Sequence, residues 1–82
     1  MTNLVDLKED EIIVNFNKKF YNEEAIIEAL IDFEDVSEWN IGNDDEDTME
    51  IKLKPKDKKI ISVLGYEFCN YVLGLMKNKS LV

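Results

Sequence analysis

The chain contains no histidine and no arginine, and its only cysteine is Cys69. Histidine is the side chain that most often serves as a general base near neutral pH. Arginine is the residue that grips phosphate or carboxylate through two parallel hydrogen bonds. Zinc sites are built mainly from cysteine and histidine. We therefore expect a chain with no catalytic residues, no bound metal and no cofactor.

Proline and glycine are also scarce, with one and three residues in a chain of 82, and 45% of the residues are hydrophobic. This composition is typical of one small folded domain rather than of a disordered chain. No apolar run approaches the roughly 20 residues that span a bilayer, and the first residues do not resemble a secretory signal. Because a single thiol cannot form an internal disulfide, we expect a cytoplasmic protein.

Charge is distributed unevenly along the chain, which has a net charge of −8. Residues 1–50 hold sixteen acidic residues and three lysines, whereas residues 51–82 hold two acidic residues and seven lysines. An acidic protein repels nucleic acid and anionic membranes, so we expect neither as a partner. A basic peptide or a basic protein surface is the more plausible partner, and the alternative is that the charge serves only solubility.

Alternating apolar residues predict three strands, at 11–16, 37–41 and 49–53, with an acidic hairpin loop between the last two. Helical spacing of apolar residues predicts a first helix from about Glu23 to Phe33 or Asp35, after an Asn22 N-cap. It predicts a second helix over about 58–77, after an Asp57 N-cap. The expected fold is a two-layer α/β (α+β) sandwich of order β-α-β-β-α. Its three-stranded antiparallel sheet has residues 49–53 in the centre and both helices on one face.

In domain terms, we expect a flexible N-terminus over 1–10, one α/β domain over 11–77 and a flexible C-terminus over 78–82. The strand at 11–16 is then an open sheet edge, and open edges accept an added strand. We therefore predict that Ile12 and Val14 contact a partner.

The last helix carries a second apolar flank beside its main apolar arc. A helix with apolar residues on both flanks is either buried on both sides or covered by a partner. We predict a partner-binding surface there, and its residues are Tyr66, Glu67, Cys69, Asn70, Leu73 and Met76.

The first helix has an acidic stripe without a lysine, formed by Glu24, Glu28, Asp32 and Asp35. Its like charges repel one another across successive turns. We interpret this acidic face as a surface for a cationic partner, the alternative being a solvated face. The acidic loop at 44–47 is the best candidate for a metal site, but it lacks the calcium-binding loop pattern and we predict no metal.

Residues 66–75, Tyr-Glu-Phe-Cys-Asn-Tyr-Val-Leu-Gly-Leu, resemble the end of the HxsD family, small proteins of the His-Xaa-Ser peptide-modification system. Members of that family share an ending of the type Glu-Phe-x-Asn-x-x-Leu, which corresponds here to Glu67, Phe68, Asn70 and Leu73. Earlier features of the resemblance are Phe20-Tyr21, Ala25 and Ala29 in the first helix, and Leu53-Lys54-Pro55. The resemblance covers about residues 11–77, and the chain departs from it with Gly74 where an acidic residue is common.

The resemblance implies an accessory protein that accompanies radical S-adenosylmethionine maturases acting on a ribosomally made peptide. The accessory itself would hold no iron–sulfur cluster, in keeping with the single cysteine. Our hypothesis is a non-enzymatic peptide- or protein-binding accessory. The alternatives are a small structural homodimer without a ligand, an unassigned binding module, and an enzyme that relies on carboxylates or lysine.

Overall fold

The computed structural model describes residues 5–7 and 10–78. The strands and helices have the following bounds: β1 Val5–Leu7, β2 Ile12–Asn17, α1 Glu23–Asp32, β3 Ser37–Asp44, β4 Thr48–Pro55 and α2 Ile61–Asn78. A 3₁₀ turn, Lys58–Ile60, precedes α2. No helix in this described part of the chain is long and apolar enough to cross a membrane.

The four strands form one antiparallel sheet in the order β1-β2-β4-β3. The predicted α+β sandwich is confirmed, because the three expected strands occur in the expected order with β4 between β2 and β3. The strand β1 is an addition to the prediction. It pairs with β2 through Val5–Val14 and Leu7–Ile12.

This added strand corrects two expectations. The segment 1–10 is not uniformly flexible, since Val5–Leu7 pairs with the sheet, while residues 1–4, 8 and 9 lie outside the described residues. The open edge predicted at 11–16 is also absent from the described sheet, because β2 is paired on both sides, with β1 and with β4. The C-terminal segment predicted at 78–82 begins inside the structure, where Asn78 ends α2, and residues 79–82 lie outside it.

Both helices pack on one face of the sheet and enclose a single hydrophobic core. Strand alternation explains which side chains enter it, because every second residue of β2 and β4 points to the helices. These buried residues are Ile12, Val14 and Phe16 from β2, and Met49, Ile51 and Leu53 from β4. The helices contribute Ala25, Ile26, Ala29 and Leu30 from α1, and Leu64, Phe68, Cys69, Val72 and Met76 from α2.

The helix starts follow their predicted caps. The Asn22 side chain accepts a hydrogen bond from the Ala25 amide at 3.1 Å, as an N-cap does. The Asp57 side chain accepts from the Lys59 amide at 3.0 Å, and so caps the 3₁₀ turn that leads into α2. Because the backbone N–H of Asn22 lies 3.4 Å from the Met76 sulfur, the start of α1 lies near the end of α2.

Candidate functional site

Strand β3 forms one edge of the described sheet, and its outer side pairs with no strand in that part of the chain. The Lys56 amide donates to the Val36 carbonyl at 3.0 Å, and this bond identifies the hydrogen-bonded pairs of the β3–β4 ladder. Because hydrogen-bonded and non-hydrogen-bonded pairs alternate in an antiparallel ladder, Trp39 and Ile41 direct their N–H and C=O groups away from β4. These two residues thus present backbone donors and acceptors at the sheet edge.

The usable length of this edge is limited by a β-bulge. The pairing of β3 with β4 shifts between Ile41 and Asp44, so that two residues of β3 stand opposite Glu50 alone. Gly42 lies in the bulge, and a Cβ at that position would overlap the Glu50 carboxylate. Because a bulge bends its strand and interrupts the regular ladder, the regular edge ends at Ile41.

An apolar groove of about 620 Å³ lies beside this edge, between α1 and β3. Its apolar lining consists of Ile27 and Ile31 from α1, Ile41 from β3 and Met49 from β4. Ile31 is 54% exposed, which is unusual for an isoleucine in a helix that packs on a core. The groove exists because the helices cover the central strands more fully than the β3 edge, where Ile41 is only partly buried.

Trp39 extends the apolar surface along the same face of the sheet. It stands opposite Leu53 in the ladder, and directly opposed residues point to the same face. Leu53 is fully buried beneath the helices, whereas Trp39 keeps 39% of its surface exposed. The two residues with outward backbone groups therefore carry apolar side chains on the face that contains the groove.

The rim of the groove is acidic. Four carboxylates line it, and they are Glu23, Glu24 and Glu28 from α1 and Asp44 from β3. The predicted acidic stripe of the first helix is therefore divided. Glu24 and Glu28 lie at the groove, Asp32 accepts a 2.7 Å hydrogen bond from the Tyr71 hydroxyl, and Asp35 is exposed beyond the end of α1.

At one end of the groove, a lysine of the chain itself, Lys18, contacts two of the lining carboxylates. Its Nζ lies 3.3 Å from Glu23 Oε1 and 2.6 Å from Asp44 Oδ1, and it also donates to the Asp45 carbonyl. The hydrogen bond to Asp44, followed by the bond to Glu23 and the two charges, raises the pKa of Lys18 against a smaller opposing effect of desolvation. An ammonium group is thus held where α1 and the β3–β4 hairpin meet.

The acidic hairpin loop is organised as a turn. Asp45 Oδ1 accepts hydrogen bonds from the amides of Asp47, at 2.8 Å, and Thr48, at 2.9 Å. These bonds lower the pKa of Asp45. Among the described residues, no group of three or more acidic, cysteine or histidine side chains is arranged to hold a metal ion.

Of the residues predicted to form a partner-binding surface on α2, some lie in the core and the others at the surface. Cys69 and Met76 belong to the core, at 6% and 3% exposure, because the two helices and the sheet enclose that side of α2. Tyr66 and Leu73 are 63% and 42% exposed, and Glu67 and Asn70 are also exposed. Burial raises the pKa of the Cys69 thiol to about 11, which makes it a poor nucleophile near neutral pH.

The predicted contact residues of the first strand are not at the surface. Ile12 and Val14 are fully buried, and β1 pairs along the side of β2 that was expected to be open. The open edge predicted at residues 11–16 is therefore wrong, and the edge with exposed apolar side chains in the described sheet is β3. The sequence signal that could have located it is the alternation of Trp39 and Ile41 with polar Glu38 and Asn40.

Comparison of the chain with protein-family models, with curated proteins and with solved structures gave no match.

Proposed function

We propose that this protein is a non-enzymatic binding module that takes up an extended segment of a partner polypeptide along β3. One observation carries the proposal. At Trp39 and Ile41, backbone groups that face away from the sheet coincide with apolar side chains beside the groove. An added strand needs both features, because backbone hydrogen bonds supply affinity and pockets for alternate side chains supply specificity.

The dimensions of the edge define the segment. A strand added to β3 would lie about 4.8 Å from it and would place every second side chain on the face of the groove. Because the ladder is regular only up to Ile41, where the bulge begins, about four residues of the segment would pair with the sheet. The remainder of the segment would lie outside the ladder.

A second copy of the chain is the alternative occupant of this edge, and charge argues against it. The net charge of the chain is −8, and β3 itself contributes Glu38 and Asp44. Symmetric pairing of two β3 strands would bring these carboxylates and both acidic rims together. Like charges opposed across a strand pair are destabilising, so we propose a different polypeptide as the occupant.

The pathway is proposed from the sequence alone. The resemblance to the HxsD family implies an accessory of a peptide-modifying system, and an extended precursor peptide has the form that a sheet edge accepts. We accordingly propose a cytoplasmic accessory role with a peptide or protein partner and without nucleic acid. The exposed side chains Tyr66, Glu67, Asn70 and Leu73 remain available for a second contact with the modifying enzyme.

Nuclear magnetic resonance titration of the ¹⁵N-labelled chain tests the binding mode. The probe is a blocked synthetic peptide of sequence Thr-Val-Gln-Val-Gln-Val-Thr, which is prone to form a strand and carries no charge. We expect its addition to shift the amide signals of Trp39 and Ile41 most. The replacement Ile31→Ser, in the groove, should weaken these shifts.

The matched control is Val63→Ser, which changes an aliphatic residue of similar exposure (47%) on the outer side of α2. This variant should bind the peptide as the original chain does. Amide shifts confined to α2, or equal weakening by both replacements, would refute binding at β3.

A further inference from the structure

We propose that the segment bound at β3 places one large apolar side chain, opposite Ile41, into the groove between α1 and β3. This inference rests on the proposed function and specifies which segments the sheet edge selects. The occupant is thus an extended segment with an apolar residue of at least the size of leucine at one fixed position, here called the anchor. The other paired residues contribute backbone hydrogen bonds.

The first argument is that the edge offers few positions on the face of the groove. At one end of β3, the Ser37 amide donates to the Phe33 carbonyl at 3.0 Å, so this amide is already bonded within the domain. At the other end, the bulge after Ile41 interrupts the ladder. Between these limits, Trp39 and Ile41 direct their backbone groups outward. A residue of the added strand directly opposite either of them would place its side chain on the face of the groove.

The second argument is that these two positions differ. Ile41 lines the groove, as does Ile31 on α1, whereas Trp39 does not line it. A residue opposite Trp39 would therefore meet the indole ring, which is 39% exposed. A residue opposite Ile41 would stand beside the groove, with Ile31 on the wall that α1 provides. Selection for a large side chain is accordingly expected at one position of the segment.

The third argument concerns the size and chemistry of the groove. Its volume of about 620 Å³ lies within the roughly 300–1,000 Å³ of pockets that bind small ligands, so it has room for the largest apolar side chains. Met49, which is 2% exposed in β4, forms part of the lining, and a methionine side chain can adapt to different apolar shapes. At the hairpin end of the groove, Lys18 is paired with Glu23 and Asp44. Apolar contact is therefore the interaction that this end of the groove offers to an incoming side chain.

Three blocked peptides test this inference by the same titration: Thr-Val-Gln-Leu-Gln-Val-Thr, its counterpart with alanine in the centre, and the isomer Thr-Val-Leu-Gln-Gln-Val-Thr. We expect the first peptide to bind about tenfold more tightly than the alanine peptide, because each buried methylene is worth a factor of about four and the open groove leaves the side chain partly exposed. The isomer has the same composition, but no register brings its leucine and a valine to the same face, so it should bind more weakly. Equal affinity of the isomer and the first peptide would contradict an anchor at a fixed position.

The replacement Ile31→Ala removes part of the groove wall and tests the contact from the side of the protein. Because groups in contact are coupled energetically, it should reduce the preference for leucine over alanine from about tenfold to about threefold or less. The matched control, Val63→Ala, shortens a residue of similar exposure, 47% against 54%, on the outer side of α2 and should keep the full preference. The ratio of affinities is compared between proteins, so any difference in strand propensity between the two peptides cancels. A full preference in Ile31→Ala, or an equal loss in both variants, would overturn the inference.

Failure of the inference can be distinguished from failure of the proposed function. Equal affinity for the leucine and alanine peptides, with shifts at Trp39 and Ile41, would overturn the anchor and leave strand addition intact. No shift at these amides with any peptide would overturn both. A concentration-dependent dimer that shifts the same two amides would identify a second copy as the occupant, and would also overturn both.

Discussion

The Tyr71 hydroxyl donates a 2.7 Å hydrogen bond to Asp32 Oδ2, and so joins the two helices outside the core. The Tyr71 ring also packs edge-on against Phe33, with ring centroids 5.2 Å apart. These contacts give one member of the acidic stripe a structural role within the domain. Asp32 does not line the groove, whereas Glu24 and Glu28 do.

Removal of this hydroxyl by Tyr71→Phe should lower the stability of the domain slightly and in a pH-dependent manner. The hydrogen bond to Asp32, aided by desolvation and by the charges of Asp32 and Glu28, raises the pKa of Tyr71 above its ordinary value of 10.0. The protonated hydroxyl therefore contributes stability below that ordinary pKa, and the contribution is lost as pH rises through the higher pKa of the folded state. Urea unfolding of both proteins at several pH values measures the difference, which should shrink above about pH 10. A difference that grows with pH would contradict this assignment.

Cys69 should be unreactive in the native protein. Its thiol is 6% exposed, and burial raises its pKa to about 11. Because only the thiolate reacts, we expect a disulfide reagent near pH 8 to modify the native protein slowly, at a rate that follows unfolding. The urea-unfolded chain should react as an ordinary thiol and serves as the control. Rapid modification of the native protein would show that Cys69 is accessible.

Much of the fold can be predicted from the sequence, because the spacing of apolar residues indicates which side chains are buried. Apolar residues alternate in β2 and β4 and recur at helical spacing in α2, so each element has one apolar face. Elements with a single apolar face can pack in few ways when two helices cover one sheet. The caps Asn22 and Asp57 are visible because they act within two or three residues. The strand β1 was missed because three residues are too few to show a period.

The candidate site was less predictable because it depends on which edge of the sheet is uncovered. The sequence indicates that sheet edges and an acidic helix face are available, but it does not show that Val5–Leu7 pairs with β2 and covers one of the two predicted edges, which leaves β3 as the edge with exposed apolar side chains. Similarly, spacing alone places Cys69 and Leu73 on the same flank of α2. Only the packing of the helices shows that the first is buried and the second is 42% exposed.

Replacement by alanine of two aromatic residues that are near each other on α2 should have sharply different effects on the free energy of unfolding. Phe68 is fully buried, and its ring lies 5.9 Å from that of Phe16 and 5.2 Å from that of Phe33. Phe68→Ala should lower the free energy of unfolding by about 3–5 kcal/mol, much of the total for so small a domain. Tyr66→Ala, at a residue 63% exposed, should change it by no more than about 0.5 kcal/mol. Urea unfolding monitored by Trp39 fluorescence measures both, and similar losses would place Tyr66 in the core.

The N-cap of α1 should make a measurable contribution of its own. Asn22→Ala removes the side-chain acceptor of the Ala25 amide and should cost about 1 kcal/mol in the free energy of unfolding. Asn22→Ser keeps an acceptor and should retain most of the stability, because serine is also a favourable N-cap. Chemical unfolding of the three proteins compares them. Equal losses from alanine and serine would mean that another property of the asparagine is responsible.

Hydrogen exchange should show the alternation of backbone groups along β3 directly. The amides of Glu38 and Asn40 point to β4 in the ladder, whereas those of Trp39 and Ile41 point to the free edge. In the native protein without ligand, we therefore expect Glu38 and Asn40 to exchange slowly and their two neighbours to exchange quickly, as followed by nuclear magnetic resonance in deuterium oxide. The central strand β4 provides the control, because Met49, Ile51 and Leu53 bond to β2 and Lys52 bonds to β3, so that these four amides should be protected. Addition of the uncharged peptide Thr-Val-Gln-Val-Gln-Val-Thr should slow exchange at Trp39 and Ile41 alone, since an added strand supplies them with acceptors. Strong protection of these two amides in the protein without peptide would mean that the edge is already covered, and would remove the physical basis for strand addition.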